Sequence, residues 1–224
     1  MERPATVSLY TAAEGEAYAP FIPRWWQSVQ AMDPAPDEIV ITLHPDDRAG
    51  VRDVVAGDER VRFVEIDEPW SNEFFHRACA ATTSTWMSFC GVDDVMLPHA
   101  YQDIADATRA GADIIVGSIV LSNGALWRGS WNPQAMRSHN TLPAHSPFRK
   151  DLWERVGGFP DIHWSDWGFW LKCQRHDPVI FMGTQPLAIF DIGEGRDTMS
   201  GVELAQATRV RADLELLQFM ETLR

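Results

Sequence analysis

The stretch W-M-S-F-C-G-V-D-D-V-M-L-P, residues 86–98, decides the fold of this 224-residue chain. It begins as a short apolar run without helical periodicity, which predicts a buried strand. Gly91 ends the run, and two adjacent carboxylates, Asp93 and Asp94, follow it. Pro98 suits the first turn of a new helix, where a missing N–H costs nothing. The stretch therefore predicts an acidic loop after a buried strand, at the edge where open α/β sheets bind their ligands.

Two interpretations of the acidic pair are open at this point. Hard oxygen ligands at such an edge suit Mg²⁺ or Mn²⁺, and these cations in turn suit a diphosphate. A solvated acidic turn that caps the following helix would have the same sequence.

Strand-like and helix-like segments alternate through roughly the first half of the chain. The predicted strands cover residues 7–11, 38–43, 61–66, 86–90 and 113–121. The predicted helices cover residues 19–32, 45–55, 71–81 and 101–110. This alternation predicts an α/β fold with a mostly parallel central sheet and helices on both faces.

The pattern changes after Asn123-Gly124, a strong two-residue hairpin signal that predicts an antiparallel return through residues 126–130. Residues 131–147 are polar and irregular, with three prolines. Helices are predicted at residues 148–156, 165–176 and 202–223, and the first of them is closed by Gly157-Gly158. Strands are predicted at residues 179–181 and 187–190, and a glycine-rich loop at residues 191–201.

Composition argues against some classes of function. The net charge of −13 and a pI near 4.8 argue against a broad nucleic-acid footprint and against docking on anionic lipid. The three cysteines, Cys79, Cys90 and Cys173, lack metal-ligand spacing and are typical of buried thiols in a reducing compartment. The N-terminus has no apolar signal region, and no apolar run reaches the ~20 residues that a membrane span needs. We expect a cytoplasmic protein.

Three blocks in order carry a family resemblance. They are F-C-G-V-D-D-V-M-L-P at 89–98, H-S-P-F-R-K-D-L-W-E-R-V-G-G-F at 145–159 and W-S-D-W-G-F-W-L-K at 164–172. The chain resembles family-2-type glycosyltransferases with the GT-A fold. The first block is similar to the family's strand ending in Asp-x-Asp-Asp, the second to its arginine-bearing helix before Gly-Gly-Phe, and the third to its Glu-Asp-x-Asp-Leu-Trp helix. The likeness extends over roughly residues 7–190.

The resemblance implies one compact GT-A-like, Rossmann-like domain with a small acceptor-side subdomain. Residues 1–125 would form the nucleotide-sugar-binding half. Residues 126–224 would form the acceptor-binding, catalytic half with a C-terminal helix. The implied activity is that of a hexosyl- or related transferase, which moves a sugar from a nucleoside-diphosphate sugar to an acceptor hydroxyl with inversion, assisted by Mn²⁺ or Mg²⁺.

Site residues follow from the same resemblance. Asp166 would be the general base that takes the acceptor's proton, and Asp93 would ligate the metal. Asp94 would hold a water or a ribose or sugar hydroxyl. The acceptor site would be walled by Trp164, Trp167 and Trp170, at least one of which we expect in the core.

Donor-binding candidates lie near the ends of the first strands and on two later segments. Each also has a plain structural interpretation, as a satisfied or solvated side chain. They are Tyr10, Thr11, Glu14, His44, Arg77 on a predicted helix, and Arg196, which could close a loop over the diphosphate.

The chain departs from the family's pattern at several positions. Gly91 stands where the first metal-motif aspartate belongs, and Ser165 replaces the glutamate before the base. Leu43 and His44 stand in place of an aspartate pair that contacts the donor base. Residues 189–200 lack the family's histidine and contain one cation. These departures imply weaker metal affinity and leave the donor base open.

Three other functions fit parts of the sequence. The absence of the family's residues at Gly91 and Ser165, and of its histidine in residues 189–200, would suit a protein that binds a sugar nucleotide without catalysis. A phage-type transferase acting on hydroxymethylated bases in DNA shares the fold, and it would need a basic patch such as Arg128, Arg137, Arg149 and Lys150. A nucleotidyltransferase would need a glycine-rich basic loop after the first strand, which the chain lacks. The acceptor is open among glycan, small molecule, protein and modified DNA.

Overall fold

The computed structural model describes residues 5–13, 15–67, 73–192 and 206–223. The strands within these residues are β1 (Val7–Ala13), β2 (Glu38–Leu43), β3 (Val61–Glu65), β4 (Trp86–Phe89), β5 (Val95–Met96), β6 (Ile114–Leu121), β7 (Leu126–Arg128), β8 (Phe148–Arg149) and β9 (Ile180–Phe190). The helices are α1 (Ile22–Gln30), α2 (Val51–Val54), α3 (Glu73–Ala81), α4 (Ile104–Arg109), α5 (Lys150–Arg155), α6 (Ser165–Cys173) and α7 (Gln206–Thr222).

All of these strands join one sheet in the order β3-β2-β1-β4-β8-β6-β9-β5, with β7 paired to β6. The strands β1 to β4 pair in parallel, and so do β6 and β9. The short strands β5, β7 and β8 are antiparallel to their neighbours. The predicted α/β fold with a mostly parallel sheet is therefore confirmed. The sheet takes strands from both sides of residue 125, and the proposed division there stays a prediction.

Helices cover both faces of the sheet, and each face has its own apolar core. Leu9 and Ile39 point to one core, which also contains buried residues of α1, α2 and α4. Tyr10 and Val40, their neighbours along the strands, point to the other core with α3, α5 and α6. Because strand side chains alternate between faces, a sheet buried on both sides needs continuous apolar strands. This requirement explains the β-branched runs in the sequence.

The second half enters the sheet through β8, which was predicted as the start of a helix. Phe148 of this strand is fully buried and pairs with Met87 of β4 and Ile114 of β6. Its ring lies 4.8 Å from that of Phe169 and 5.8 Å from that of Trp170. This aromatic packing favours the extended backbone at residues 148–149, and the helix starts at Lys150.

Other predicted bounds were also wrong in detail. The two strands predicted around residues 179–190 are one strand, β9, whose pairing with β6 shifts register near Ser118. Pro98 does not start a helix, because residues 95–96 form β5 and α4 begins only at Ile104. The hairpin at Asn123-Gly124 is confirmed: Gly124 has a φ of 86°, and the Asn123 Oδ1 accepts a hydrogen bond from the Ala125 N–H at 3.0 Å.

Among the described residues, none of the helices combines the length and the apolar character that crossing a bilayer requires.

The glycine pair after α5 offers a matched test of backbone strain against steric contact. Both residues have positive φ, 74° at Gly157 and 70° at Gly158. A Cβ at Gly158 would lie 2.6 Å from His76 Cε1, whereas a Cβ at Gly157 would meet only Lys172 Nζ at 3.7 Å. We predict that Gly157→Ala lowers the free energy of unfolding by about 1–2 kcal/mol, the cost of a left-handed residue.

Gly158→Ala should cost about 1–3 kcal/mol more than that, because the ring of His76 must move off Trp153. Urea unfolding of both variants measures the difference. Equal losses for the two alanines would contradict the packing of α3 against this turn.

Candidate active site

Six strands of the sheet have an end at one edge, where polar residues adjoin several of them. The carboxyl ends of β1 to β4 share this edge because those strands are parallel. β9 ends there too, followed by Asp191, and the antiparallel β8 starts there, preceded by His145. The acidic loop after β4 therefore lies beside segments that are far away in sequence.

Asp94 is the buried member of the acidic pair. It is 2% exposed, and its Oδ2 lies 2.9 Å from Nε2 of His145. Its Oδ1 accepts a hydrogen bond from the Asp191 N–H at 2.8 Å. A buried carboxylate needs such partners to offset its desolvation. The expectation that Asp94 holds a donor hydroxyl does not fit this burial; its carboxylate joins three parts of the protein.

Cys90, Asp94 and His145 form a buried group whose potential ligand atoms lie within 4.8 Å of one another. Two ligands at about 2.0 Å from a tetrahedral zinc ion would be about 3.3 Å apart. The 2.9 Å between Asp94 and His145 is instead the length of a hydrogen bond. Burial also raises the pKa of the Cys90 thiol, helped by the nearby carboxylates, and thus disfavours the thiolate that binds metal. Asp94 and His145 are hydrogen bonded to each other, whereas Cys90 Sγ lies 3.5 Å from the Gly91 carbonyl oxygen instead.

Asp93 is the partly exposed member of the pair. A Cβ built on Gly91 would lie 2.6 Å from Asp93 Oδ1 and 3.0 Å from Asp94 Oδ2. The Asp93 carboxylate thus occupies the space that a side chain at position 91 would need. The hard oxygens of this partly exposed carboxylate fit a cation that keeps several waters and binds substrate phosphates.

Arg24 adds a positive charge beside the acidic loop. Its Nη2 donates to the backbone carbonyl of Asp93 at 2.6 Å and lies 3.5 Å from Asp191 Oδ2. Ser28, one helical turn further along α1, accepts a hydrogen bond from the Met96 N–H at 3.1 Å. Helix α1 is therefore bound to both ends of the acidic loop, and the Arg24 side chain is 50% exposed there.

Asp166 lies in the first turn of α6 and is partly buried. Burial raises the pKa of its carboxyl above the usual range. The Trp167 N–H, the Asn140 amide and the charge of His145 partly offset this rise in pKa. The contact with Asn140 is a hydrogen bond of 3.0 Å from Nδ2 to Asp166 Oδ2. Through His145, which also contacts Asp94, the structure brings Asp166 into the neighbourhood of the acidic loop.

The residues predicted to bind the donor lie in different parts of the structure. His44, after β2, accepts the Asp46 N–H at Nδ1, and its Nε2 lies 3.2 Å from Asp67 Oδ1 after β3. Arg77 is exposed on α3 and pairs with Glu73 at 3.0 Å. Glu14 and Arg196 lie outside the described residues.

Two strand residues do not reach the edge. Thr11 is fully buried in β1, so direct contact with a donor does not fit its position. Tyr10 is 2% exposed and packs its ring against Phe89 and Phe148 in the core.

The three tryptophans of the third block separate in the structure. Trp170 is 1% exposed and packs against Phe148 and Phe169, so it is core and cannot wall an acceptor site. Trp164 and Trp167 are partly buried. Trp164 donates through Nε1 to Asp213 of α7 at 3.3 Å, and Trp167 donates to the Met136 carbonyl at 2.6 Å.

Sequence reasoning missed Arg24, Asn140 and His145. A signal for Arg24 was present, because a cation in the first turn of a helix opposes the helix dipole and is unfavourable without a partner. His145 opens the second block, but its buried pairing with Asp94 has no local signature. Asn140 lies in a segment whose composition indicates only a loop.

The opposite edge of the sheet has a polar cleft of about 530 Å³, lined by Thr83, Ser84, Thr85, Thr108, Arg149, Lys150, Asp151 and Glu154. Its two cations are already engaged. Lys150 Nζ bonds to the carbonyls of Cys79, Ala80 and Thr82, and Arg149 lies 5.7 Å from the Trp86 ring centre and pairs with Asp151. Arg149 and Lys150 of the suggested basic patch for DNA thus line one cleft, together with the acidic residues Asp151 and Glu154.

Comparisons with known proteins agree with this architecture. No family model and no curated protein sequence matches the chain. Among solved structures, S. aureus TarS 1–349 in complex with UDP-GlcNAc is 15% identical with a TM-score of 0.69 over 85% of this chain and 60% of TarS 1–349. The mannosyltransferase PcManGT from Pyrobaculum calidifontis, in complex with GDP-Man and Mn²⁺, is 16% identical with a TM-score of 0.65 over all of this chain and 65% of PcManGT.

At these identities the likeness shows the fold. The chain has the GT-A-like, Rossmann-like α/β fold of these neighbours, with a mostly parallel sheet, as the sequence predicted. It spans less than two thirds of the length of either neighbour. Membership of family 2 stays a prediction.

The raised pKa of Asp166 has a consequence for stability. A carboxyl with a higher pKa in the folded than in the unfolded chain binds more protons when folded, so stability falls as pH rises through the folded pKa. Asp166→Asn removes that loss. We predict that the variant melts at a higher temperature than the wild type at about pH 8, and that the advantage shrinks towards about pH 4.

Thermal unfolding across this pH range measures the effect, with Asp161→Asn as an exposed control just before α6. A variant that is less stable than the wild type at every pH would contradict the burial cost assigned to the Asp166 carboxylate.

Proposed function

We propose that the chain is a glycosyltransferase that moves a sugar from a nucleoside-diphosphate sugar to an acceptor hydroxyl. The observation that carries the proposal is that one segment contacts both the acidic loop and Asp166. His145 pairs with Asp94, the neighbour of the partly exposed Asp93, and Asn140 bonds to the Asp166 carboxyl, whose pKa is raised by burial. Solved neighbours with this fold include complexes with UDP-GlcNAc and with GDP-Man and Mn²⁺. They support a nucleotide sugar as the donor.

The donor's diphosphate would lie over the acidic loop. Asp93 would hold a Mg²⁺ or Mn²⁺ ion, because such cations need only one or two carboxylates when substrate phosphates complete their coordination. A bound cation supplies charge neutralisation for the departing diphosphate. His44 and Asp67, whose side chains lie 3.2 Å apart after β2 and β3, would face the nucleoside.

Arg24 would supply a second positive charge on the leaving group. Its guanidinium uses Nη2 for the Asp93 carbonyl, and the side chain is half exposed at the same loop. A guanidinium can donate several hydrogen bonds to phosphate oxygens. The positive charge of Arg24 would offset the weaker metal binding that the glycine at position 91, in place of an aspartate, implies.

Asp166 would act as the general base. Its carboxylate takes the proton from the acceptor hydroxyl while that oxygen bonds to the anomeric carbon. The bond from this carbon to the diphosphate breaks on the opposite face, and its electron pair leaves with the diphosphate. Such a displacement inverts the configuration. A pKa raised towards neutrality strengthens a carboxylate as a base at physiological pH.

A second candidate function is a sugar-nucleotide-binding protein without turnover, which Gly91 and Ser165 favour. Turnover separates the two candidates. We therefore propose to screen nucleoside-diphosphate sugars for thermal stabilisation with and without Mn²⁺, since a ligand of the folded state raises its stability. Each stabilising donor is then assayed for hydrolysis and transfer.

We predict that Asp166→Asn lowers kcat by about 10²-fold or more, because the amide cannot accept the acceptor's proton. The donor Kd should stay within about twofold, since Asp166 acts on the acceptor side. Asp161→Asn serves as the matched control and should keep full activity. Binding of a donor without measurable turnover by the wild type would instead favour the binding protein.

We further predict that Arg24→Ala weakens binding of the cognate nucleoside diphosphate by about tenfold, as expected for the loss of about 1.4 kcal/mol from a charged hydrogen bond. The loss should be larger without Mn²⁺, when the guanidinium is the main counter-charge. Isothermal titration calorimetry measures both affinities. Arg109→Ala, which removes an exposed arginine of α4 paired with Asp106, is the control and should bind normally. Equal affinities for the wild type and Arg24→Ala would remove Arg24 from the donor site.

A further inference from the structure

The connection between β7 and β8, residues 129–147, forms what we call the bridging segment. Its sequence indicates an irregular polar loop, but residues 141–143 and 145–147 are buried. Both of its ends are bound to β6. The Gly129 N–H donates to the Gly117 carbonyl at 3.0 Å, and the Pro147 carbonyl accepts the Ile115 N–H at 2.8 Å. The bridging segment is therefore packed into the core and hydrogen bonded to the sheet, unlike a loop exposed on the surface.

The middle of the bridging segment is attached to α6. Met136 is fully buried, and its carbonyl accepts the Trp167 indole N–H at 2.6 Å. Its sulfur lies 2.8 Å from Nε2 of Gln174, two turns along from Trp167. These contacts hold the segment against the helix whose first turn contains Asp166.

Asn140 of this segment reaches the Asp166 carboxylate with a defined orientation. Its Oδ1 accepts a hydrogen bond from the Leu142 N–H at 3.2 Å. That bond assigns the oxygen end of the amide, so the NH₂ end must face Asp166, where Nδ2 lies 3.0 Å from Oδ2. The amide donates to the carboxylate and has no acceptor turned towards it.

We infer that Asn140 is a positioning residue for Asp166: its amide holds Oδ2 and so fixes the orientation of the carboxylate that takes the acceptor's proton. This inference rests on the proposed function, in which Asp166 is the base. The hydrogen bond also favours the ionised carboxylate, because an ionised carboxylate only accepts hydrogen bonds. Asn140 therefore opposes the effect of burial on the base.

Other groups also act on Asp166. His145 faces it from the same segment, and the backbone N–H of Trp167 faces it from α6. Tyr10 senses its charge from β1 and stays neutral because burial raises the pKa of the phenol. None of these groups is changed by substitution at Asn140, so a shift seen in such a variant belongs to the amide.

The test compares Asn140→Asp and Asn140→Leu with Asn132→Asp. Asn132 lies in the same segment, is exposed, and accepts only the Ala135 N–H through Oδ1, a contact that aspartate retains. Asn132→Asp thus repeats the chemical change without touching Asp166. All variants are checked for folding by thermal unfolding.

Two readouts are expected to move together. The acidic limb of the kcat–pH profile should shift to higher pH by about one unit or more in both Asn140 variants, since loss of a charged hydrogen bond disfavours the ionised base. KM for the donor should not change. The ¹³C carboxyl signal of Asp166, assigned by its absence in Asp166→Asn, should titrate at correspondingly higher pH, whereas Asn132→Asp should match the wild type in both readouts.

The carboxyl titration keeps this inference separate from the proposed function. If no donor turns over, the titration in Asn140→Leu still tests the contact; an Asp166 pKa equal to that of the wild type overturns the inference, even in an active transferase.

The double variant Asn140→Asp/Asp166→Asn exchanges the two groups. It should regain the melting temperature of the wild type while turnover stays lost, because the carboxylate no longer projects from α6. Recovered turnover would show that the carboxylate works from either side chain and would overturn the positioning role.

Discussion

The hydrogen bond between the buried carboxylate of Asp94 and the imidazole of His145 holds three distant parts of the chain at one edge of the sheet. Asp94 also accepts the N–H of Asp191, so the acidic loop, the start of β8 and the end of β9 share one carboxylate. Leaving that carboxylate without partners would cost several kcal/mol, because burial removes its water. The pairing therefore helps to fix the positions of Asp93, the bridging segment and Asp191.

The pairing divides the work between two adjacent aspartates. Asp94 is buried and hydrogen bonded within the protein, whereas Asp93 is the partly exposed carboxylate of the loop. Gly91 belongs to the same arrangement, because the Asp93 carboxylate occupies the space that a side chain there would need. The departure from the family's motif is thus accommodated locally. Arg24 brings a charge of opposite sign to the loop from α1.

The base side is organised by the same connection. The bridging segment contacts Asp166 through Asn140 and Asp94 through His145, five residues later. Its two ends are fastened to β6, and its middle is fastened to α6. A segment whose helical structure is one short 3-10 helix, Ala135–Arg137, therefore links the proposed donor and acceptor sides of the site. It is held in place by hydrogen bonds and by buried residues such as Leu142.

The sequence by itself determined what depends on near neighbours. The apolar runs predicted the strands, Asn123-Gly124 predicted the hairpin, and the run ended by Gly91 predicted an acidic loop at the ligand-binding edge. Tertiary structure decided which carboxylate is exposed, which tryptophan is core, and that Phe148 starts a strand. The contacts behind these outcomes join residues 51, 97 and 69 positions apart, for His145–Asp94, Asp191–Asp94 and Arg24–Asp93. Local sequence periodicity cannot predict contacts between residues so far apart in the chain. Their burial and hydrogen bonding arise only when the sheet brings its strand ends together.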